Sequence, residues 1–240
     1  MGKNNYYIYG ITFYVPEDGL TVITGHHKEP VFQLEYKELT AHVSRTALTY
    51  FETSLENLEC HEDVISHLMK DYDVLPMSFS TICKSEEKVI GMLEKYYDQF
   101  ISNLKNVEGK FELGIKVFYK LDFEEEDKKD KEILKSPKEY MMKRYERYQN
   151  RQKQVDQILS AIEEYHGILA DMAAKSQYTK PLKNNLIFNA SYLVGKNQKE
   201  KFNEVVKEMK EKNPAYKILY SGPWPAYHFV NIVREGEEDE

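Results

Sequence analysis

The sequence predicts an α+β protein made of two ferredoxin-like domains, the second carrying a long heptad-patterned helix. Two observations predict it. Short runs rich in β-branched and aromatic residues alternate with segments whose apolar positions recur every three or four residues, so strands and amphipathic helices are interleaved. The order of these elements is then of the same layered kind in both halves of a 240-residue chain, a length that lets two domains each bury a core. The boundary is expected near residue 107: a first domain over 1–107, a second over 108–234 and an acidic tail over 235–240.

Taken in order, Tyr6 to Phe13 is dense in β-formers and ends before Pro16, with Glu17-Asp18-Gly19 as a turn. Residues 31–36 and 39–46 read as two short strands forming a meander or hairpin. From Glu59 to Tyr72, Val64, Ile65, Leu68, Met69 and Tyr72 make one apolar stripe of a helix. Val74 to Ile82 reads as extended, with Pro76 placing its start at an edge, a bulge or a bent entry into the ladder. Ser85 is an N-cap for a second helix, whose apolar face runs from Val89 to Leu104. Together with the strand Lys110–Tyr119 this predicts a modified ferredoxin-like unit with helices covering one face of an antiparallel sheet.

The charged segment 122–135 reads as a solvated linker or a frayed helix start. Ser136-Pro137 then opens a helix. Met141, Tyr145, Tyr148, Gln152, Val155, Leu159, Ile162, His166, Leu169 and Ala173 follow at alternating spacings of four and three, a heptad pattern. A helix over 137–175 would be about 58 Å long, so its first half is expected to project while 155–173 docks on a sheet. Strands over 186–194 and 216–220 flank a helix over 198–212. Ser221-Gly222-Pro223-Trp224-Pro225 cannot be helical, because two prolines fix their own φ and push Gly222 and Trp224 toward extended geometry. This turn is expected to deliver Tyr227–Val233 into a buried final strand, with Trp224, the only tryptophan, buried and anchoring the turn against the long helix.

Composition narrows the function. The chain is 41% hydrophobic and 30% charged with a net charge of −7, and its basic residues are interspersed with acids, which argues against nucleic-acid and anionic-membrane partners. No segment reaches the roughly 18 to 20 apolar residues of a membrane span, and Met1–Pro16 lacks the regions of a signal peptide, so a cytoplasmic location is expected. Cys60 and Cys83 lack C-x-x-C spacing and are expected to be free thiols. The nineteen tyrosines can supply contact area for a partner or sit half-buried on strands and helix faces. His61-Glu62 resembles a zincin start, but Ile65 stands where the second histidine is needed and His67 lies about 240° round the helix. His228 reads as a strand-interior residue. Gly195-Lys196 lacks the rest of a phosphate loop. No catalytic residue, metal ligand or cofactor is assigned.

Several blocks carry a resemblance: HEDVI at 61–65, VLPMSF at 74–79, KFELGIKVFY at 110–119, NASYLV at 189–194 and SGPWPAYHFV at 221–230. In order and spacing, from about Tyr6 to Val233, they are similar to the gas vesicle protein F/L family, and the ending SGPWPAY.FVNI is closer to the F type. The family reads roughly LP.RFG where this chain has Ser78 and Ser80, so no arginine stands here to carry a role. The resemblance implies a non-enzymatic accessory protein of gas vesicle assembly, in the cytoplasm and at the vesicle. Its implied partners are the small hydrophobic shell protein and other accessory proteins. Residue reading and resemblance together mark Pro223, Trp224, Pro225, Tyr227 and Phe229 as structural or partner-surface candidates. The ferredoxin-like layout on its own suggests instead a small-ligand-binding regulatory protein.

Overall fold

A computed structural model describes residues 5–15, 23–119, 136–181, 185–214 and 216–233. It divides into two compact units, Met1–Glu112 with Pro223–Glu240, and Leu113–Gly222. The linker expected over 122–135 and the tail over 235–240 lie outside the described residues.

The first unit is built on β1 (Asn5–Phe13), β2 (Phe32–Tyr36), β3 (Leu39–Thr46), β4 (Leu75–Pro76) and β5 (Ile82–Cys83). The sheet order is β2-β3-β1-β4, and β5 also pairs with β1. These pairings are antiparallel. A register shift between Ile8 and Gly10 marks a bulge. Past it the parity of the strand changes, so Tyr6, Ile8 and Ile11 share one face while Tyr7 and Tyr9 take the other. Gly10 is required there, since a Cβ would lie 2.7 Å from Val74 Cγ1 and 3.1 Å from the Leu75 carbonyl oxygen.

Helices cover both faces of this sheet, not one as expected. The helix α1 (Leu55–Leu68) packs Val64, Ile65 and Leu68 on the Tyr7/Tyr9 side, and α2 (Glu86–Lys95) and α3 (Tyr97–Val107) pack Val89, Leu93, Phe100 and Leu104 on the Ile8/Ile11 side. This is why β1 is almost continuously apolar, since a strand buried on both faces has no solvent side to alternate with. The first helix starts four residues earlier than expected, because the Ser54 hydroxyl accepts from the Asn57 N–H and caps it. The second expected helix is two, α2 and α3, broken at Tyr96 (φ −105, ψ 18). The expected strand over 74–82 is reduced to the short pairs β4 and β5.

The second sheet has the order β7-β8-β6-β9, from β6 (Lys110–Tyr119), β7 (Lys175–Thr179), β8 (Leu186–Gly195) and β9 (Tyr216–Trp224). Phe188 and Tyr192 of β8 meet the helices α4 (Pro137–Met172) and α5 (Lys199–Lys212): His166 of α4 lies against Phe188 and hydrogen-bonds Tyr192 at 2.7 Å, and Phe202 of α5 packs edge-on against Tyr192. Only the second half of α4 is docked, with Val155, Ile158, Ile162 and Leu169 buried.

Two strand expectations are corrected. β7 pairs with β8 but was not foreseen, because Lys-Ser-Gln-Tyr-Thr is exposed throughout and carries no apolar alternation. Tyr227–Val233 is not a strand. β9 continues through Ser221-Gly222-Pro223-Trp224, and Tyr227–Phe229 is a 3-10 turn followed by irregular chain. Trp224, expected to be buried, is 39% exposed.

Candidate functional site

The segment after β9 belongs to the first unit, and what it does there follows from its backbone. Pro223 and Pro225 have no N–H to give a ladder, and the donors that follow bond within the turn, Tyr227 to the Pro225 carbonyl and Phe229 to that of Ala226, or to side chains, rather than to a neighbouring strand. The His228 N–H donates to Glu112 Oε2 at 3.0 Å, and its Nδ1 lies 2.5 Å from Glu112 Oε1. Asn103 brackets Asn231, its Oδ1 accepting from the Asn231 N–H at 3.2 Å and its Nδ2 donating to the Asn231 carbonyl at 2.9 Å. Gln99 does the same for Val233, at 2.9 and 3.3 Å. Val230 and Ile232 complete the attachment by packing on the core beneath α2 and α3.

Tyr227 stands between two clefts of the first unit. One, of about 480 Å³, is lined by Met77, Met92, Tyr96, Phe100 and Ile232 besides Tyr227. The other, of about 400 Å³, lies along α1 between Leu58, Glu59, His61, Glu62 and Phe79. The Tyr227 hydroxyl donates to Glu62 Oε2 at 3.0 Å. Burial, reinforced by the Glu62 charge, pushes the tyrosine's pKa up. Burial also raises that of Glu62, opposed by the hydrogen bonds from Tyr227 and Ser66.

Beneath the second cleft lies a buried polar chain. His61 Nε2 is 3.2 Å from the Met77 carbonyl and its Nδ1 is 2.9 Å from the Tyr7 hydroxyl. A carbonyl can only accept, so Nε2 carries the proton and Nδ1 accepts from Tyr7. Tyr7 in turn accepts from the Ser80 N–H at 3.0 Å, and Ser80 Oγ accepts from the Phe51 N–H at 2.9 Å. Ser80 has φ 64, in the left-handed region. Burial holds His61 at a pKa of about 4, against the bond to Met77, which favours its charged form. The ring is therefore neutral and serves the packing of the loop 76–81 on α1. Among the described residues no group of three or more His, Cys, Asp or Glu is placed to hold a metal ion. Both carboxylate oxygens of Glu112 are occupied by His228, which makes that pair an anchor for the segment.

The candidates marked in the sequence separate. Tyr227 lines both clefts. Pro225 is buried beneath the turn, Phe229 is half-buried, and Pro223 and Trp224 end β9 in exposed positions. The residues that shape the clefts with Tyr227 left little local signal. Met92 and Tyr96 read as helix core, and Glu112 reads as the solvent side of β6 although it is only 4% exposed. The one available signal was Asn103, a polar residue within an otherwise apolar helix stripe.

The fold is an α+β arrangement of antiparallel sheets and helices that this chain shares with two crystal structures. One is the gas vesicle protein GvpF from Anabaena sp., with a TM-score of 0.78 and 21% identity over 98% of this chain and 99% of that one. The other is GvpF from Microcystis aeruginosa, with a TM-score of 0.75 and 23% identity over 95% and 99%. The family model described as gas vesicle synthesis protein GvpL/GvpF matches residues 5–231, and the chain belongs to that family. Among its relatives are gas vesicle protein F1 of Halobacterium salinarum, 28% identical over 88% of this chain and 86% of that protein. Gas vesicle protein L of a Streptomyces species is 25% identical over 95% and 94%.

Proposed function

We propose that this protein is a non-enzymatic accessory of gas vesicle assembly that binds the small hydrophobic shell protein while the vesicle forms, in the cytoplasm and at the vesicle. The family match over residues 5–231 carries this reading. The physical case is that a subunit able to wall an air-filled space exposes apolar faces and strand edges, which an escort must cover until assembly. The clefts on either side of Tyr227 and the exposed edge strand β7 are surfaces suited to that task. Other accessory proteins of the same assembly are further candidate partners.

The finer architectural reading belongs with this proposal. Numbered within each unit, the strands of both sheets stand in the order 2-3-1-4, which supports two ferredoxin-like domains, the second running β-α-β-β-α-β. Burial of Val155, Ile162 and Leu169, seven residues apart, supports the heptad reading of α4.

Co-purification of the shell protein with this chain tests the proposal, with Tyr227→Ala and Trp224→Ala as probes. The wild type should retain the shell protein, Tyr227→Ala should retain less of it, and Trp224→Ala, at an exposed position, should leave the fold of this chain intact. Absence of any shell complex at micromolar concentrations overturns the reading. Replacing His61, Glu62 or His228 by alanine should change stability at most. A second reading, small-ligand-binding regulation, is favoured by the 480 Å³ cleft, which is within the size range of small-molecule sites. A thermal-shift screen with metabolites separates the two, since a regulatory domain is stabilised by its ligand without the shell protein.

A further inference from the structure

Two helix faces in this chain are apolar, exposed and opposite in charge. On α1, Leu55 and Leu58 are 73% and 39% exposed, and their spacing puts them on one face with Glu59 and Glu62. From Thr46 to Met69 the chain carries Glu52, Glu56, Glu59, Glu62 and Asp63 and no lysine or arginine. On α4, Met141, Tyr145 and Tyr148 recur at i, i+4 and i+7 and are 68%, 63% and 64% exposed. By the helical step of about 100° per residue, Lys138 and Arg144 border that face on its two sides, while Glu139, Lys143, Glu146 and Arg147 lie round the far side of the helix.

We propose that the chain associates with further copies of itself, the basic Met141–Tyr148 face of α4 in one copy seating on the acidic Leu55–Leu58 face of α1 in another. Charge complementarity selects this pairing. Two α4 faces brought together would oppose basic residues, and two α1 faces would oppose acidic ones, each costing free energy. Only the heterologous pairing covers both sets of apolar side chains and matches sign. Such a contact either closes, as when two copies exchange both faces, or propagates along a row of copies. Tyrosine and methionine suit the donor face, since they bring large contact area and adaptable packing to a narrow helix surface.

Sedimentation velocity over a concentration series tests this. The mass should rise with concentration at low salt, and the rise should shrink as ionic strength screens the charges. Glu56→Lys/Glu59→Lys and Lys138→Glu/Arg144→Glu should each be monomeric alone. These four side chains are exposed, and circular dichroism should show an unchanged fold. An equimolar mixture of the two variants should associate again, because each then presents a face complementary to the other. Tyr145→Ser, which leaves every charge in place, should also lower association. A wild-type chain that stays monomeric throughout, variants that associate as the wild type does, or a mixture that stays monomeric each overturn the proposal. None of these readouts involves the shell protein, so they stand apart from the test of the assembly role.

Discussion

Three histidines of the first unit are buried and neutral. Burial lowers His26, His42 and His61 from 6.5 to about 4, and for His26 the neighbouring His61 and His27 add to the shift. In the unfolded chain they would titrate near 6.5, so between about pH 6.5 and 4 the unfolded state binds more protons and stability rises with pH. Their contribution is complete above pH 6.5 and is lost as pH falls through 4. The melting temperature should therefore drop across that window, and His42→Gln, which removes one such group, should flatten the drop. Ser80 offers a second residue-scale prediction. Its φ of 64 lies in the left-handed region that favours glycine, and its hydroxyl compensates by accepting from the Phe51 N–H. Ser80→Ala keeps the strain and loses the bond, so it should cost about 1 to 2 kcal/mol in urea unfolding. Ser80→Gly relieves about as much strain as it loses in bonding and should be close to neutral. Equal losses for both would refute the strain argument.

Among the elements, the segment 225–233 is held by side chains of α3 and by Glu112 of β6 rather than by ladder pairing in a sheet. Asn103→Ala would leave both the N–H and the carbonyl of Asn231 without their partner. It should destabilise the protein by about 1 to 3 kcal/mol, read by urea unfolding. Faster hydrogen exchange of the Asn231 and Val233 amides than of the β1 amides would show that the segment detaches before global unfolding. In α4 the docked and free halves should differ in hydrogen exchange. Backbone amides around 158–169, beneath buried Ile158, Ile162 and Leu169, should be protected, while those over 141–150 exchange faster because their side chains are mostly exposed. Uniform protection along the 36 residues would contradict a helix docked over one half.

For the whole molecule, the chain leaves its first unit after Glu112 and returns to it at Pro223. The first unit is thus discontinuous in sequence, and its stability depends on the last residues of the described chain. Truncation after Gly222 would leave the Glu112 carboxylate buried without His228 and expose the core that Val230 and Ile232 cover. It should lower the melting temperature of the first unit by several degrees, since an unpaired buried charge alone costs several kcal/mol. An unchanged melting temperature would show that the segment is an appendage.

Local chemistry made most elements legible. The β-rich run at Tyr6–Phe13, the hairpin about Lys37-Glu38, the Ser85 cap and the proline start of α4 all act within a few residues of chain, and each stands where its pattern placed it. The blocks ending in SGPWPAYHFV likewise carried the family. Tertiary structure alone decided what depends on distant partners. The polar edge strand β7 exists because β8 offers it a ladder. The apolar run after Pro225 is irregular because Glu112, Asn103 and Gln99 satisfy its backbone. Trp224 is exposed because β9 carries the chain past the point where a buried turn was expected. Sequence periodicity records which side chains are apolar, but not which distant groups will meet a backbone donor, and that long-range satisfaction settles how this chain ends.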